Sequence, residues 1–233
     1  MVRLHYDLHI HTCLSPCGDD DMTLGDICAM ASLKGLDLIA VTDHNTGLNL
    51  PAAAACAARS GLVFVPGIEI TTREEVHLLG YFPDVRSAVE AGRIVTEHLP
   101  RAKNRPDFFG HQLVMDEEGT VKYELDSLLI GATDLTLNEA AAHVRSFGGV
   151  PVPAHINRGA HGILTNLGFI PEEPGFTAVE VARSLPCPAA AQAGRKVLHS
   201  SDAHYLGDIA EPEETVELEE DTIAAFLRYL GGA

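Results

Sequence analysis

Positive charge is scarce in this 233-residue chain: 16 Lys and Arg stand against 33 Asp and Glu, a formal net charge of -17. A surface of that sign repels phosphate backbones and anionic lipid over most of its area, so broad binding to long nucleic acid or to membranes is not expected. A short nucleotide drawn into a local pocket is still allowed, because bound divalent ions reverse the local field. No apolar run approaches the length that spans a bilayer, and residues Met1 to His11 lack a basic segment followed by a long apolar one. Cysteine is sparse and odd in number. Cys13, Cys17, Cys28, Cys56 and Cys187 lack the spacing of a disulfide framework, which predicts free thiols, mostly buried, in a reducing, cytoplasmic setting. Fixed-period repeats and low-complexity tracts are absent.

What is present is an alternation of short apolar runs with helix-like segments, which predicts an α/β chain with a parallel sheet and helices outside it. The length suits one barrel, and a single domain over 1–233 is expected. Seven strands are expected at 4–10, 36–42, 62–70, 76–82, 150–156, 178–182 and 196–200. Helices are expected at 23–33 with Thr23 as cap, at 51–59 opened by a proline, at 137–147 behind the capping-box pair Thr136 and Glu139, and at 222–230 behind the acidic run 211–221. The stretch 84–134, with Arg101, Lys103 and Arg105 clustered in it, reads as an irregular insertion or lid between the fourth and fifth strands, with a hairpin between Leu113 and Leu125.

Nearly every expected strand carries a metal-competent side chain, most of them at its end. The first ends in His9 and His11, which at i and i+2 on a strand point to one side. The second ends in Asp43-His44, the third in Glu69, the fourth carries His77, the fifth ends at His155, and the last is followed by Asp202 and His204. Each alone has an ordinary explanation: Asp43 as a helix cap, Glu69 as the start of a turn, His77 or His155 as a packed imidazole. Together, on a barrel whose strand ends open onto one face, they converge, and charged groups gathered there without a cation would be costly. His5, His98, His111, His143 and His161 do not share that placement and are assigned to solvent or packing. His199, within the last strand, is expected to support the site from behind.

The stretches Asp7-Leu8-His9-Ile10-His11-Thr12, Val41-Thr42-Asp43-His44, Pro66-Gly67-Ile68-Glu69, Val76-His77, Ala154-His155 and Ser201-Asp202-Ala203-His204 resemble the polymerase and histidinol phosphatase superfamily, the PHP-domain phosphoesterases, from near the first residue to about Asp208. The resemblance implies a distorted seven-stranded β/α barrel holding two or three divalent ions, zinc, manganese or iron. It implies that His9, His11, Glu69 and Asp202 bind one ion, that Glu69 bridges to a second held by His77 and His155, and that His44, His204 and a loop residue hold a third. Relatives commonly carry Asp or His in that loop, whereas this chain offers either Cys17, whose thiolate favours zinc or iron over manganese, or Asp19.

The expected activity is hydrolysis of a small phosphomonoester, or of a nucleotide or short-oligonucleotide diester, by a bridging hydroxide. Glu69, Asp202 and His204 are the catalytic group, Arg158 and Arg183 the candidate phosphate donors, and Asp43 a residue that orients His44 or another ligand. Two rival readings are an amidohydrolase-type deaminase or lactonase and a non-catalytic metal-binding module. The first often needs a bridging modified lysine, yet none of Lys34, Lys103, Lys122 and Lys196 ends a strand at the position held by Glu69. The second sits poorly with a complete ligand set.

Overall fold

The computed structural model describes residues 1–231. Its strands are β1 (Val2–Ile10), β2 (Leu38–Val41), β3 (Val63–Thr71), β4 (His77–Tyr81), β5 (Leu113–Met115), β6 (Val121–Glu124), β7 (Val150–Pro153), β8 (Ala178–Glu180), β9 (Lys196–Leu198) and β10 (Thr215–Leu218). Its helices are α1 (Leu24–Lys34), α2 (Leu50–Ser60), α3 (Val85–Glu97), α4 (Pro106–Phe109), α5 (Leu137–Ser146), α6 (Ile163–Asn166), α7 (Ala189–Gln192) and α8 (Ile223–Tyr229). The caps read from sequence are made: Thr23 accepts from Asp26 N, and Thr136 and Glu139 close a capping box; Thr222, expected as the first residue of the last helix, is its cap and accepts from Ala225 N.

The main sheet is mixed, in the order β10-β1-β2-β3-β4-β7. The expectation of a parallel sheet is corrected at β4, which runs antiparallel to both β3 and β7. Only residues 72–76 separate β3 from β4, with Thr72 N donating to Val76 O and Glu75 at φ 57, and a connection that short makes a hairpin and cannot cross over. Beyond β7 the curl continues through Ile156 N, which donates to Glu180 O, and returns to β1 where Ala203 bridges Ile10.

Two further expectations are corrected. The acidic run 211–221 contains β10, an edge strand antiparallel to β1, where Arg3 pairs with Glu217. The first part of 84–134 is not irregular: Asp84 caps the 13-residue α3, whose Ala88, Ala91 and Val95 are fully buried. Its alanine-rich contact face hid it from a search for large apolar residues. The hairpin is present as β5 and β6.

Alternation along the strands separates two cores. Leu38 and Ala40 of β2 join Tyr6, Leu8, Val65, Leu79, Val152, Ala178, Leu198 and Phe226 in one cluster, while Ile39 and Val41 join Ile27, Leu50, Ala88 and Val144 beneath the helices. On β3, Glu69 has the parity of Val65, and on β4, His77 has that of Leu79, so both project from the inner face of the curl. Gly67 lies between Val65 and Glu69, where an added Cβ would stand 2.7 Å from Thr42 Cγ2. Among the described residues no helix is long and apolar enough to cross a membrane.

Candidate metal centre

The side chain of Glu69 lies at the centre of the cluster and is fully buried. Its Oε1 is 2.8 Å from His77 Nδ1, 3.2 Å from His9 Nε2 and 3.4 Å from His155 Nε2, and its Oε2 is 3.1 Å from His44 Nδ1 and 3.4 Å from His11 Nε2. Asp202 Oδ1 adds contacts of 3.2 Å to His9 Nε2 and 3.1 Å to His11 Nε2. The ligand atoms of His9, His11, Glu69 and Asp202, of His44, Glu69 and His77, and of His11, His44 and His204 each lie within 4.8 Å of one another.

The donors fit divalent cations on a direct test. Both Glu69 oxygens, His44 Nδ1 and His77 Nδ1 are buried without a hydrogen-bond partner. Unpaired buried polar atoms are expensive, and imidazole nitrogens with carboxylate oxygens are the ligand types that zinc, manganese and iron accept. His155 at φ 25 and Asp202 at φ 54 are held in the left-handed region, which costs about 1–3 kcal/mol for a non-glycine residue and is tolerated where surrounding structure fixes it.

The groups sit at one end of the curl for a topological reason. β1, β2 and β3 are parallel, so His11, His44 and Glu69 meet at their C-terminal ends. The antiparallel turn reverses β4, so its first residue, His77, reaches that face from the start of a strand. β7 again points toward it, and His155 lies two residues past its end.

Burial disfavours charge on Glu69, His9, His11, His44, His77 and His204, yet the cluster overrides it in several. The carboxyl of Glu69, which burial alone would raise, is held well below its ordinary range by His77, His9 and His44. Burial likewise opposes protonation of His9, His11 and His44, but neighbouring carboxylates lift His9 well above the imidazole range and His11 to about 9, and Cys17 with Glu69 lifts His44 to about 9. Burial prevails at His77 and His204, each pushed down to about 4.

A second layer holds the imidazoles. Glu180, which the sequence reading passed over, is buried, lies 3.0 Å through Oε1 from His9 Nδ1, and accepts from His155 N at 3.0 Å. The available signal was parity: a lone carboxylate on the Ala178 side of an apolar strand faces the inner core. Asp43 acts on His11 and not on its neighbour His44. It accepts from Ser15 Oγ at 2.7 Å, and Ser15 Oγ is 2.9 Å from His11 Nδ1. Asp7 is buried as well and accepts from Ser201 Oγ and from Ala210 N, fixing the segment that carries Asp202. His199 does not support the cluster, since its Nδ1 is spent on Val181 O at 2.8 Å.

A cavity of about 360 Å³ opens over the cluster, lined in part by Cys17, His44, Glu69, His155, Arg158 and His204. Arg158 is ion-paired there with Asp202. Arg183 is not in its wall, being engaged by Glu213 and Glu214, which corrects its expected role. Cys17 stands beside His44, while the side chain of Asp19 is occupied by Asp21 N at 2.9 Å. His161, set aside in the sequence, stacks on His77 with ring centroids 4.2 Å apart and lines the cavity.

This fold and this cluster define an α/β protein with a buried site for divalent cations. The chain belongs to the PHP domain family, whose model matches residues 7–139. It is 31% identical over 115 residues to the 5'-3' exoribonuclease Rnm of Salmonella typhimurium, covering 42% of this chain and 38% of that protein. It is 36% identical over 77 residues to the 3',5'-nucleoside bisphosphate phosphatase of Chromobacterium violaceum, covering 32% and 26%. The chain thus spans well under half the length of these curated relatives. Among solved structures, the lesion-specific endonuclease PfuEndoQ of Pyrococcus furiosus superposes with a TM-score of 0.73 at 19% identity, over 98% of this chain and 56% of that one. Endonuclease Q in complex with a 27-mer duplex superposes with a TM-score of 0.71 at 19% identity, over 99% and 57%. At that identity the likeness is one of fold.

Proposed function

We propose that this chain is a phosphoester hydrolase using two to three divalent ions, in one PHP domain over 1–233 whose seven strands close as a distorted barrel through residues 201–203. His9, His11, Glu69 and Asp202 would hold one ion, Glu69, His77 and His155 a second, and His44 and His204 a third, completed by Cys17 or Asp19. The observation that carries the reading is the Glu69 carboxylate, buried among five imidazoles at 2.8–3.4 Å with neither oxygen hydrogen-bonded.

Divalent ions bound there supply positive charge against phosphoryl oxygens and acidify water near neutral pH. The protein's own groups do the rest. Glu69 sets the separation of the two sides of the cluster, because its oxygens face different imidazoles. Glu180 and Ser15 accept or share the Nδ1 protons of His9 and His11, leaving both Nε2 atoms turned to Glu69 and Asp202. Arg158, partly exposed beside Asp202, presents paired donors to a phosphate. His204 has its Nδ1 on Asp202 O at 2.8 Å and is neutral at pH 7, which suits a ligand better than an acid.

The substrate is a small phosphomonoester or a nucleotide or short-oligonucleotide diester. The named activities of the exoribonuclease and the bisphosphate phosphatase support that range. The net charge argues against long nucleic acid, although endonuclease Q, of the same fold, is seen on a duplex. Free cysteines are in keeping with a reducing, cytoplasmic compartment.

The test is a panel of a chromogenic phosphodiester, phosphomonoesters, nucleoside deaminase substrates and short oligoribonucleotides, run with and without chelator beside elemental analysis. Chelator-sensitive phosphoester turnover with two to three ions per chain is expected. Deaminase turnover alone, or metal without any turnover, would replace this reading with one of its rivals.

A further inference from the structure

The cations of this acidic chain are unevenly placed. Residues 99–109 hold Arg101, Lys103 and Arg105 against the single Asp107. Elsewhere the cations are dispersed singly or in pairs along the chain, and Arg3, Lys34, Arg93, Arg158, Arg183 and Arg228 each pair with a carboxylate. Among the described residues Arg101, Lys103 and Arg105 are exposed and take part in no ion pair. Two aromatic rings adjoin them. The Arg105 guanidinium lies 4.9 Å from the centroid of Phe108 and 5.8 Å from that of Phe109, and Phe108 is 71% exposed.

The segment is fastened to the cavity at both ends. Leu128 N donates to Ala102 O at 3.0 Å, Lys103 bridges Ser127 antiparallel, and Asn104 N donates to Asp126 O at 2.7 Å, while Ile130, two residues past Leu128, is in the cavity wall. At the other end Gly110 lies so close to Pro16 that an added Cβ would meet its carbonyl oxygen at 2.1 Å, and the next residue, Cys17, is in the wall too. The pairing is confined to residues 102–104: Arg101 lies at a bend and Arg105 immediately precedes α4, so the three cations follow one another along one exposed loop.

We propose that this rim is the docking surface for a short single-stranded oligonucleotide, with Arg101, Lys103 and Arg105 on its phosphates and Phe108 stacked on a base. A row of cations beside an exposed ring is how single strands are held without sequence readout. The local positive charge in a strongly negative chain confines the contact to a few nucleotides, because a longer polymer meets the repelling remainder. A lipid surface is disfavoured because the rim borders a cavity built around phosphoester chemistry. The proposal rests on the phosphoesterase reading of that cavity.

The experiment measures binding of a fluorescein-labelled hexanucleotide by anisotropy, in chelator and across a salt series, beside turnover of a chromogenic phosphodiester that reaches only the cavity. The triple variant Arg101→Ala, Lys103→Ala, Arg105→Ala should bind about tenfold more weakly, with the salt slope reduced by about 2. Phe108→Ala should also lose about tenfold, with the slope unchanged. Chromogenic turnover should stay at the wild-type level in both. Hexanucleotide affinity and salt slope equal to wild type in these variants would overturn the docking surface while leaving the phosphoesterase reading intact. Wild-type binding to phosphatidylserine vesicles, lost in Phe108→Ala and unaccompanied by hexanucleotide binding, would also overturn it. Loss of hexanucleotide binding in the variants of a protein that hydrolyses no phosphoester would keep the surface and remove the reading of the cavity.

Discussion

Glu180 Oε1 lies 3.0 Å from His9 Nδ1 and accepts from the backbone N–H of His155 at the same distance, so one buried carboxylate fixes two members of the cluster that come from opposite sides of it. Glu180→Gln removes the charge that keeps the His9 proton on Nδ1 while retaining size and one acceptor. Metal affinity should weaken about 10–100-fold, read by competition with a chromogenic chelator. Circular dichroism should match wild type, and Glu180→Asp should recover part of the loss. Unchanged affinity in Glu180→Gln would show that packing alone orients the ring.

Glu69 has no such substitute. Glu69→Gln keeps the shape but offers one carbonyl oxygen and a donor amide where two anionic oxygens face five imidazoles. Turnover of a phosphoester should fall by more than about a hundredfold, a larger loss than removing an outer partner brings. The far-ultraviolet spectrum should be unaltered. Wild-type turnover in this variant would remove Glu69 from the centre of the chemistry.

Cys17 is the group that raises His44 most, and it borders the cavity. If the thiolate is the remaining donor beside His44 and His204, Cys17→Ser should lower bound metal by about one ion per chain, with the loss greatest for zinc. Elemental analysis after dialysis decides it. Undiminished metal content would leave the third site to Asp19.

Protons compete with cations here. In the chelated protein His9, His11 and His44 have pKa values above the ordinary 6.5, so at pH 7 they hold protons that a bound cation must displace. Metal affinity should therefore rise with pH through about 9, the range in which His11 and His44 give up their protons, with about three protons released per loading at pH 7, counted by calorimetry in buffers of different ionisation enthalpy. The folding linkage has the matching sign. Groups raised above their unfolded value stabilise the chelated fold below pH 6.5 and lose that contribution as pH passes about 9. His77 and His204, each lowered to about 4, cost stability as pH falls below 6.5, as do Glu69 and Asp202 below the ordinary carboxylate range. The melting temperature of the chelated protein should peak near pH 6.5. A profile flat from 6.5 to 9 would contradict the raised values.

The order of secondary structure was open to reading because it depends on local chemistry. Thr23, Thr136 and Thr222 cap their helices through neighbours three residues away, and the seven expected strands follow from apolar runs with turns between them. The same holds for the list of metal-competent side chains, since residue type is written in the chain. The sequence could not supply what depends on partners distant in the chain. The hairpin that reverses β4 decides that His77 meets Glu69 from a strand's beginning, and the pairing of β10 with β1 turns an acidic run into an edge strand; α3 was passed over although Ala88, Ala91 and Val95 recur at helical spacing, because its buried face is built of small residues. Roles within the site were decided in the same way. Arg158 and Arg183 are the same residue type near strand ends, yet one reaches Asp202 at the cavity and the other is held by Glu213 and Glu214, because ion-pair geometry is set by which loops the curled sheet brings together. Residue chemistry is local and survives in one dimension. Convergence on Glu69 requires the sheet to curl, and only the packed chain determines that.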